Sequence, residues 1–403
     1  MIRKIFLLGW VIAAVGVQLA CAERSNDRRQ VVLIVWDGMR PDFVSEENTP
    51  ALWRLSKEGV FFRNHHAVYP SATEVNGTAL ATGVYPNHSG LIANYEYRPE
   101  IDSRKLINVE NPAVVRKGDE LSGGNYVAVP TIAELVQKAG RRTVIATAKT
   151  VGLLLDRHLD SRGKDSVALF AGESLPPDAI GSIVKMLGPF PAPPKQPFAE
   201  GDAWTAKALT DSLWRDGVPA FSLLWLSEPD ATQHQTAPGA QPALAAIRTA
   251  DQNLAHVLAA LDRQHARETT DIFVVSDHGF STINRAIDLR KILATAGFNV
   301  ATGDPKPQDI ILVGNGGSVL FYVPRHDGGV RQRLVEFLQQ TNFAGVIFTR
   351  VKMEGTFTFE QGRIDNEHAP DVVMAFRWNE NKNQFGIPGM IDADWNRRAG
   401  KGT

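Results

Sequence analysis

Unbroken apolar runs alternate along the chain with segments whose apolar positions recur every three or four residues. Residues 31–36 (VVLIVW), 143–146 (TVIA), 221–226 (FSLLWL) and 272–275 (IFVV) show no polar alternation, the pattern of strands buried on both faces. Residues 318–323 (SVLFYV) are a further candidate strand, and Phe61-Phe62 reads as strand-like. Helical segments with start and stop signals lie between these runs. Thr49-Pro50 puts a capping residue before a proline at the first helical position, and Gly59 closes that helix. Thr131 and Glu134 have the spacing of a capping box, with Gly140 as the stop. Residues 243–262 make a long amphipathic helix, and residues 77–82 (GTALAT) a small-residue one. The alternation predicts an α/β fold with a mostly parallel central sheet covered by helices on both faces. Two stretches break the pattern. Residues 92–129 are polar and irregular, and residues 158–200 carry Pro189, Pro191, Pro193, Pro194 and Pro197. Both read as insertions above the sheet that form a lid or cap.

The 403 residues, 43% hydrophobic and 22% charged, suit one large domain with such insertions. A formal net charge of −1 supplies no global field toward nucleic acid or an anionic membrane, so no duplex binding is expected and any anion specificity must be local. The N-terminus has the layout of a secretory signal peptide. Arg3 and Lys4 precede the apolar residues 5–20, and Ala20-Cys21-Ala22 offers small residues at a cleavage site. Residues 1–22 are therefore expected to be removed on export to the periplasm or exterior, leaving 23–403 as a single catalytic domain. A retained anchor would need a longer apolar run, and Gln18-Leu19-Ala20 fits a lipoprotein box at Cys21 poorly. Cys21 is the only cysteine. The mature chain then has no disulfide, no thiolate ligand and no later transmembrane span, so any metal must be held by Asp, Glu, His or a hydroxyl. Nothing in the sequence sets the oligomeric state.

Three of the apolar strands run into acidic residues. Residues 31–36 lead to Asp37-Gly38, residues 221–226 to Glu228-Pro229-Asp230 with His234 beyond, and residues 272–275 to Asp277-His278-Gly279. An Asp after a strand is ordinarily a cap or turn residue. Three together, with two histidines, would converge at the carboxyl ends of the strands, where open α/β sheets bind ligands. These oxygen and nitrogen donors suit two divalent ions, zinc foremost, and their mutual repulsion calls for cations. Thr73, in Tyr69-Pro70-Ser71-Ala72-Thr73-Glu74-Val75-Asn76-Gly77, opens a helix and is the candidate nucleophile. A helix N-terminus attracts anions, and a metal can lower the pKa of a threonine hydroxyl.

This set resembles the alkaline phosphatase superfamily, and within it the nucleotide pyrophosphatase/phosphodiesterase branch. The matching pieces are Asp37-Gly38, Tyr69 to Thr73 followed by Asn76, Thr82-Gly83-Val84-Tyr85-Pro86 with His88 and Gly90, Glu228-Pro229-Asp230 with His234, and Ser276-Asp277-His278-Gly279. They stand in the family's order over residues 31–280. The resemblance implies a three-layer α/β/α sandwich and a zinc-dependent phosphodiesterase acting on small phosphate esters or nucleotides. It implies one zinc on Asp37, Asp277, His278 and the Thr73 oxygen, and a second on Asp230 and His234. It further implies that Asn76 donates to a phosphoryl oxygen, and that Thr73 is phosphorylated and then released by water.

The sequence departs from the branch in two places. Glu74-Val75-Asn76-Gly77 replaces the usual Phe-Pro-Asn-His, which sets a negative charge near the expected pocket mouth. The branch also takes a further zinc histidine from a His-Gly element near the C-terminus, and neither His326 nor His368 precedes a glycine. Gly402-Thr403 resembles the residues that run into that histidine, so the chain reads as cut off just before it. A phosphomonoesterase or phosphonate hydrolase on the same scaffold is the alternative, with Arg40, Lys149 and Arg157 as sources of the extra cation. An inactive metal-binding relative and a phosphoglycerate-mutase-like transferase are the other readings. A sulfatase is disfavoured, since no Cys/Ser-x-Pro-x-Arg motif lies near Thr73.

Overall fold

The computed structural model describes residues 29–159, 162–191, 198–302 and 304–403. The expected signal peptide, residues 1–22 with Cys21, lies outside these residues. The main sheet has six strands: β1 (Gln30–Trp36), β2 (Thr143–Thr147), β3 (Val167–Phe170), β4 (Glu173–Leu175), β5 (Phe221–Leu226) and β6 (Thr270–Val275). Their order is β4-β3-β2-β5-β1-β6. All pairings are parallel except that of β4 with β3.

Period-two side-chain alternation explains why the central runs are apolar throughout. Val32, Ile34 and Trp36 of β1 enter one core with Leu254, Val257 and Leu261 from helix Gln241–Arg263. Leu33 and Val35 enter a second core on the opposite face with Leu91, Val115 and Leu154. Each such fully buried side chain contributes about 1.5–3 kcal/mol of transfer free energy. β6 departs from the sequence reading. It is an edge strand, only partly buried, with Phe273 49% exposed. A one-sided edge can still read as an unbroken apolar run.

A second sheet is built from β8 (Ile311–Gly314), β9 (Ser318–Tyr322), β10 (Ala344–Thr349), β11 (Phe357–Thr358) and β12 (Val372–Phe376), in the order β8-β9-β12-β10-β11. The predicted strand at 318–323 thus belongs here and not to the parallel sheet. Two further strands, β13 (Trp378–Lys382) and β14 (Pro388–Asp394), join β7 (Thr282–Ile287) in a small sheet beside the carboxyl ends of the main strands. Among the described residues, no helix is long and apolar enough to cross a membrane.

Several expectations change. Phe61-Phe62 is an exposed loop, not a strand. Part of the 158–200 stretch lies in the sheet as β3 and β4, and residues 192–197 fall outside the described set. The 92–129 stretch is no loose lid. Ile107, Val109, Val115 and Tyr126 are buried in the second core, around a helix at Pro112–Ser122. The Thr131–Glu134 capping box is present in full.

Helix Pro50–Glu58 is capped from afar. The Thr49 hydroxyl turns back to the Ser45 carbonyl, and the Asp251 carboxylate accepts from Ala51 and Leu52 N–H, each at 2.9 Å. A tertiary cap of this kind carries no local sequence signal. Asp251→Ala is expected to lower stability by about 1–2 kcal/mol, read as a shift in the urea midpoint with an unchanged slope. No shift would show that water replaces the cap.

Candidate metal and nucleophile site

The site gathers at the carboxyl ends of four adjacent strands, β2, β5, β1 and β6. β1 delivers Asp37 one residue past its end, and Asp37 N–H donates to the Leu226 carbonyl of β5 at 3.1 Å. Asp230 N–H donates in turn to the Asp37 carbonyl at 3.0 Å. Gly38 between them has φ +69°, and a Cβ there would meet the Phe280 ring at 2.8 Å, so both the backbone and the space demand glycine. Gly38 N–H donates to Asp277 Oδ1 at 3.0 Å, tying β6 to β1. Asp202, fully buried, accepts from Ser227 N–H at 2.7 Å and Glu228 N–H at 3.0 Å, and so anchors the turn that leads into Asp230.

Asp37, Asp230 and His278 each present one donor atom within 4.8 Å of the others. His278 Nε2 lies 3.5 Å from Asp37 Oδ1, 3.4 Å from Asp277 Oδ2 and 3.9 Å from Asp230 Oδ1. It also lies 3.2 Å from Thr73 Oγ1. His234 Nε2 is 3.3 Å from Asp230 Oδ1. Thr73 is the first residue of helix Thr73–Thr82, so its hydroxyl stands at the positive end of the helix dipole. This helix begins earlier than residues 77–82 indicated. Thr73, Asp230, His234 and His278 line one wall of a cavity of about 910 Å³.

Lys149, which follows β2, fills the space between the carboxylates. Its Nζ is 2.5 Å from Asp37 Oδ2 and 3.3 Å from Asp230 Oδ2. Burial, with the charge of Asp277 added, pushes Asp37 well above the usual carboxylate range. Burial also acts to raise Asp230, but Lys149 and His234 outweigh it and hold that group well below. Burial would lower Lys149, but Asp230 and Asp37 keep its ammonium charged. Burial likewise acts to lower His278, and Asp277, Asp37 and Asp230 together raise it.

The donor chemistry fits a divalent ion. Asp37 Oδ1 and Asp277 Oδ2 are buried without a hydrogen-bond partner, an arrangement that is costly unless a cation completes it. Zinc accepts this oxygen and nitrogen set.

The remaining sequence candidates fall elsewhere. Asn76 is not in the cavity wall. Its Oδ1 accepts from Val68 N–H at 2.8 Å and its Nδ2 donates to Ala72 O at 3.1 Å, so it braces the loop that leads into Thr73. Asn94 lines the cavity instead, and its Oδ1 accepts from Glu74 N–H at 3.3 Å. Sequence reasoning missed it, because it lies outside the nucleophile motif in a stretch taken for a cap. Glu74 is buried, not at the pocket mouth. Arg157 is engaged by Asp119 and Glu134. His326 pairs with Asp371 and His368 with Glu100, and neither lines the cavity.

The parallel sheet with its site at the strand ends is an alkaline-phosphatase-like α/β fold. The chain aligns with phosphonoacetate hydrolase from Sinorhizobium meliloti 1021, solved with phosphonoacetate, at a TM-score of 0.66 and 18% identity over 93% of this chain and 86% of that one. It aligns with murine ectonucleotide pyrophosphatase / phosphodiesterase 5 at 0.61 and 16% identity, over 93% and 83%. Residues 31–380 match the profile of the type I phosphodiesterase / nucleotide pyrophosphatase family, and the chain belongs to that family. Among its relatives, a venom phosphodiesterase of Naja atra is 23% identical over 264 residues, 64% of this chain and 27% of the relative. Human ectonucleotide pyrophosphatase/phosphodiesterase family member 1 is 24% identical over 251 residues, 62% of this chain and 23% of the relative. The chain thus spans about a quarter of the length of these two relatives.

Two predictions follow from the electrostatics. Removing the cation between Asp37 and Asp230 leaves buried carboxylates unpaired, so Lys149→Met is expected to cost the metal-free protein about 3 kcal/mol in urea unfolding. Zinc should restore most of the loss. Equal loss with and without metal would show that the lysine stem, not its charge, matters. Burial, opposed by its two backbone hydrogen bonds and helped by the charge of Glu228, pushes Asp202 up to about 8. The folded protein then holds a proton that the unfolded chain lacks from about pH 4 to about pH 8, so this carboxyl makes stability fall as pH rises through that window. Asp202→Asn should flatten that slope. An unchanged slope would mean the carboxyl is ionised in the fold.

Proposed function

We propose that the protein is an exported, zinc-dependent phosphodiesterase of the nucleotide pyrophosphatase type, acting through a phosphothreonine intermediate. The observation that carries the reading is the approach of Thr73 Oγ1 to His278 Nε2, at 3.2 Å, inside a buried set of carboxylates open to a cavity. Asp37, Asp277, His278 and Thr73 would hold one ion, and Asp230 and His234 a second. When bound, the metal supplies Lewis-acid charge that favours the threonine alkoxide and neutralises phosphoryl oxygens.

The chain's own groups do the rest. Thr73 gives up its hydroxyl proton to solvent, Oγ1 attacks phosphorus as the bond to the leaving oxygen breaks, and the leaving group departs opposite the nucleophile and takes up a proton from solvent. Asn94, not Asn76, is the amide suited to donate to a phosphoryl oxygen, since its Oδ1 is held by Glu74 N–H and its Nδ2 is left for the substrate. Water then attacks the phosphothreonine and regenerates the hydroxyl. Asp202 and Gly38 act indirectly, by holding Asp230 and Asp277 in register.

One observation favours a second reading, a phosphomonoesterase or phosphonate hydrolase. The ammonium of Lys149 stands among the metal-ligand candidates, and a dianionic phosphoryl group wants such an extra cation. Hydrolysis of bis(4-nitrophenyl) phosphate against 4-nitrophenyl phosphate by zinc-loaded protein separates the two. A faster diester is expected, with loss of at least about a thousandfold in Thr73→Ala and loss of turnover on chelation that zinc reverses. A faster monoester, with the preference abolished in Lys149→Met, would establish the second reading. Zinc binding without turnover of either ester would make the protein an inactive relative.

A further inference from the structure

Three basic side chains line the cavity: Arg40, Lys382 and Arg397. Arg40 is held by both oxygens of Asp42 and by the Phe280 and Pro388 carbonyls. Arg397 is held by much less. Among the described residues its guanidinium forms no close ion pair. Its Nη1 lies 3.2 Å from His234 Nδ1, and its charge opposes the burial that raises the Asp394 carboxyl. Nearby Asp394 accepts from the backbone N–H groups of Gly316 and Asn396. Among the described residues, a permanently charged group with five N–H donors thus has a single side-chain hydrogen-bond contact, to an aromatic nitrogen.

As a hydrogen bond donated by Arg397, that contact is incompatible with metal ligation through His234 Nε2. Its Nε2 faces Asp230, while its Nδ1 faces both Arg397 and the Gly402 carbonyl, the latter at 3.1 Å. A neutral imidazole carries one proton. When Nδ1 accepts from Arg397, the proton sits on Nε2 and that atom cannot be a ligand. When Nε2 offers its lone pair to a metal, Nδ1 carries the proton and donates it to Gly402 O, the outer bond that ligating histidines ordinarily make. Arg397 then loses its acceptor while it still lines the cavity.

Position tells what it meets next. Thr73, His278, Asp230, His234 and Arg397 follow one another in a row of contacts of 3.2, 3.9, 3.3 and 3.2 Å. Arg397 and Thr73 stand at the two ends of this series of contacts, and both line the cavity. Lys382, exposed and without an ion pair among the described residues, lines the same cavity.

We propose that Arg397 is a specificity-determining residue that binds a second anionic group, a carboxylate or a phosphate, carried by the substrate, and that it is released for this task when His234 adopts its metal-binding tautomer. The proposal rests on the reading of the site as a zinc-dependent phosphohydrolase.

Calorimetric titration with 3-phosphonopropionate and with butylphosphonate, which lacks the carboxylate, tests it. Zinc-loaded protein is expected to bind the carboxylate-bearing probe about tenfold more tightly. Arg397→Met should remove that preference, and Arg397→Lys should keep part of it. The ¹⁵N shifts of His234 should report a protonated Nδ1 in the zinc-loaded protein and an unprotonated Nδ1 in the metal-free one. Replacing 3-phosphonopropionate by phosphonomethyl phosphate, again against its uncharged isostere, shows which anion is preferred. Equal weakening of both probes in Arg397→Met, no preference in the wild type, or an unprotonated Nδ1 with zinc bound would overturn the proposal while the phosphohydrolase reading stands. Failure of zinc-loaded protein to bind either phosphonate would bring down both.

Discussion

Three buried carboxylates held within a few ångströms of one another are the constraint on which this molecule turns. Asp37, Asp230 and Asp277 are each almost wholly removed from solvent, and like charges in a low-dielectric site repel strongly. The fold tolerates the arrangement because it brings cations to it. Lys149 bridges Asp37 and Asp230, and His278 faces all three acids. Two of the carboxylate oxygens still lack a partner. The residual imbalance suits the site to a cation.

Rigidity around the cluster follows from the same need. A strand-end carboxylate is useful only if its neighbours stay in register, and the register is fixed by backbone bonds that run from strand to strand. Asp37 and Leu226, Asp230 and Asp37, and Gly38 and Asp277 form such a chain. Asp202 reaches in from helix Ala199–Lys207 to hold the turn before Asp230. These bonds fix donors that lie in the turns just past the strand ends, and such precision is what a metal site requires.

The small sheet of β7, β13 and β14 shapes the other side of the cavity. Trp378, Lys382 and Ile391 come from it, and Arg397 follows it. On the proposed reading, the carboxylate wall would meet the reacting group and the opposite wall whatever else the substrate carries, so discrimination among substrates would belong to residues outside the Thr73 and carboxylate motifs.

Much of this was legible in order of residue number. The strands 31–36, 143–147 and 221–226 announce themselves because both faces are buried, and the acids after them because a strand end is where a sheet exposes its ligands. Thr73, Asp37, Asp230, His234, Asp277 and His278 were all candidates before any coordinates. What the sequence could not reveal depends on distance through space. Asn76 and Asn94 have the same chemistry, and only packing engages one with Val68 and Ala72 and turns the other into the cavity. Lys149 and Arg157 are equivalent charges on paper, yet one meets Asp37 and the other Asp119. Local sequence determined the periodicity, the strand ends and the reacting residue types, because these follow from backbone geometry and side-chain chemistry. The tertiary structure decided which polar group faces which, because hydrogen bonds and charges act over a few ångströms and chain separation carries no record of that.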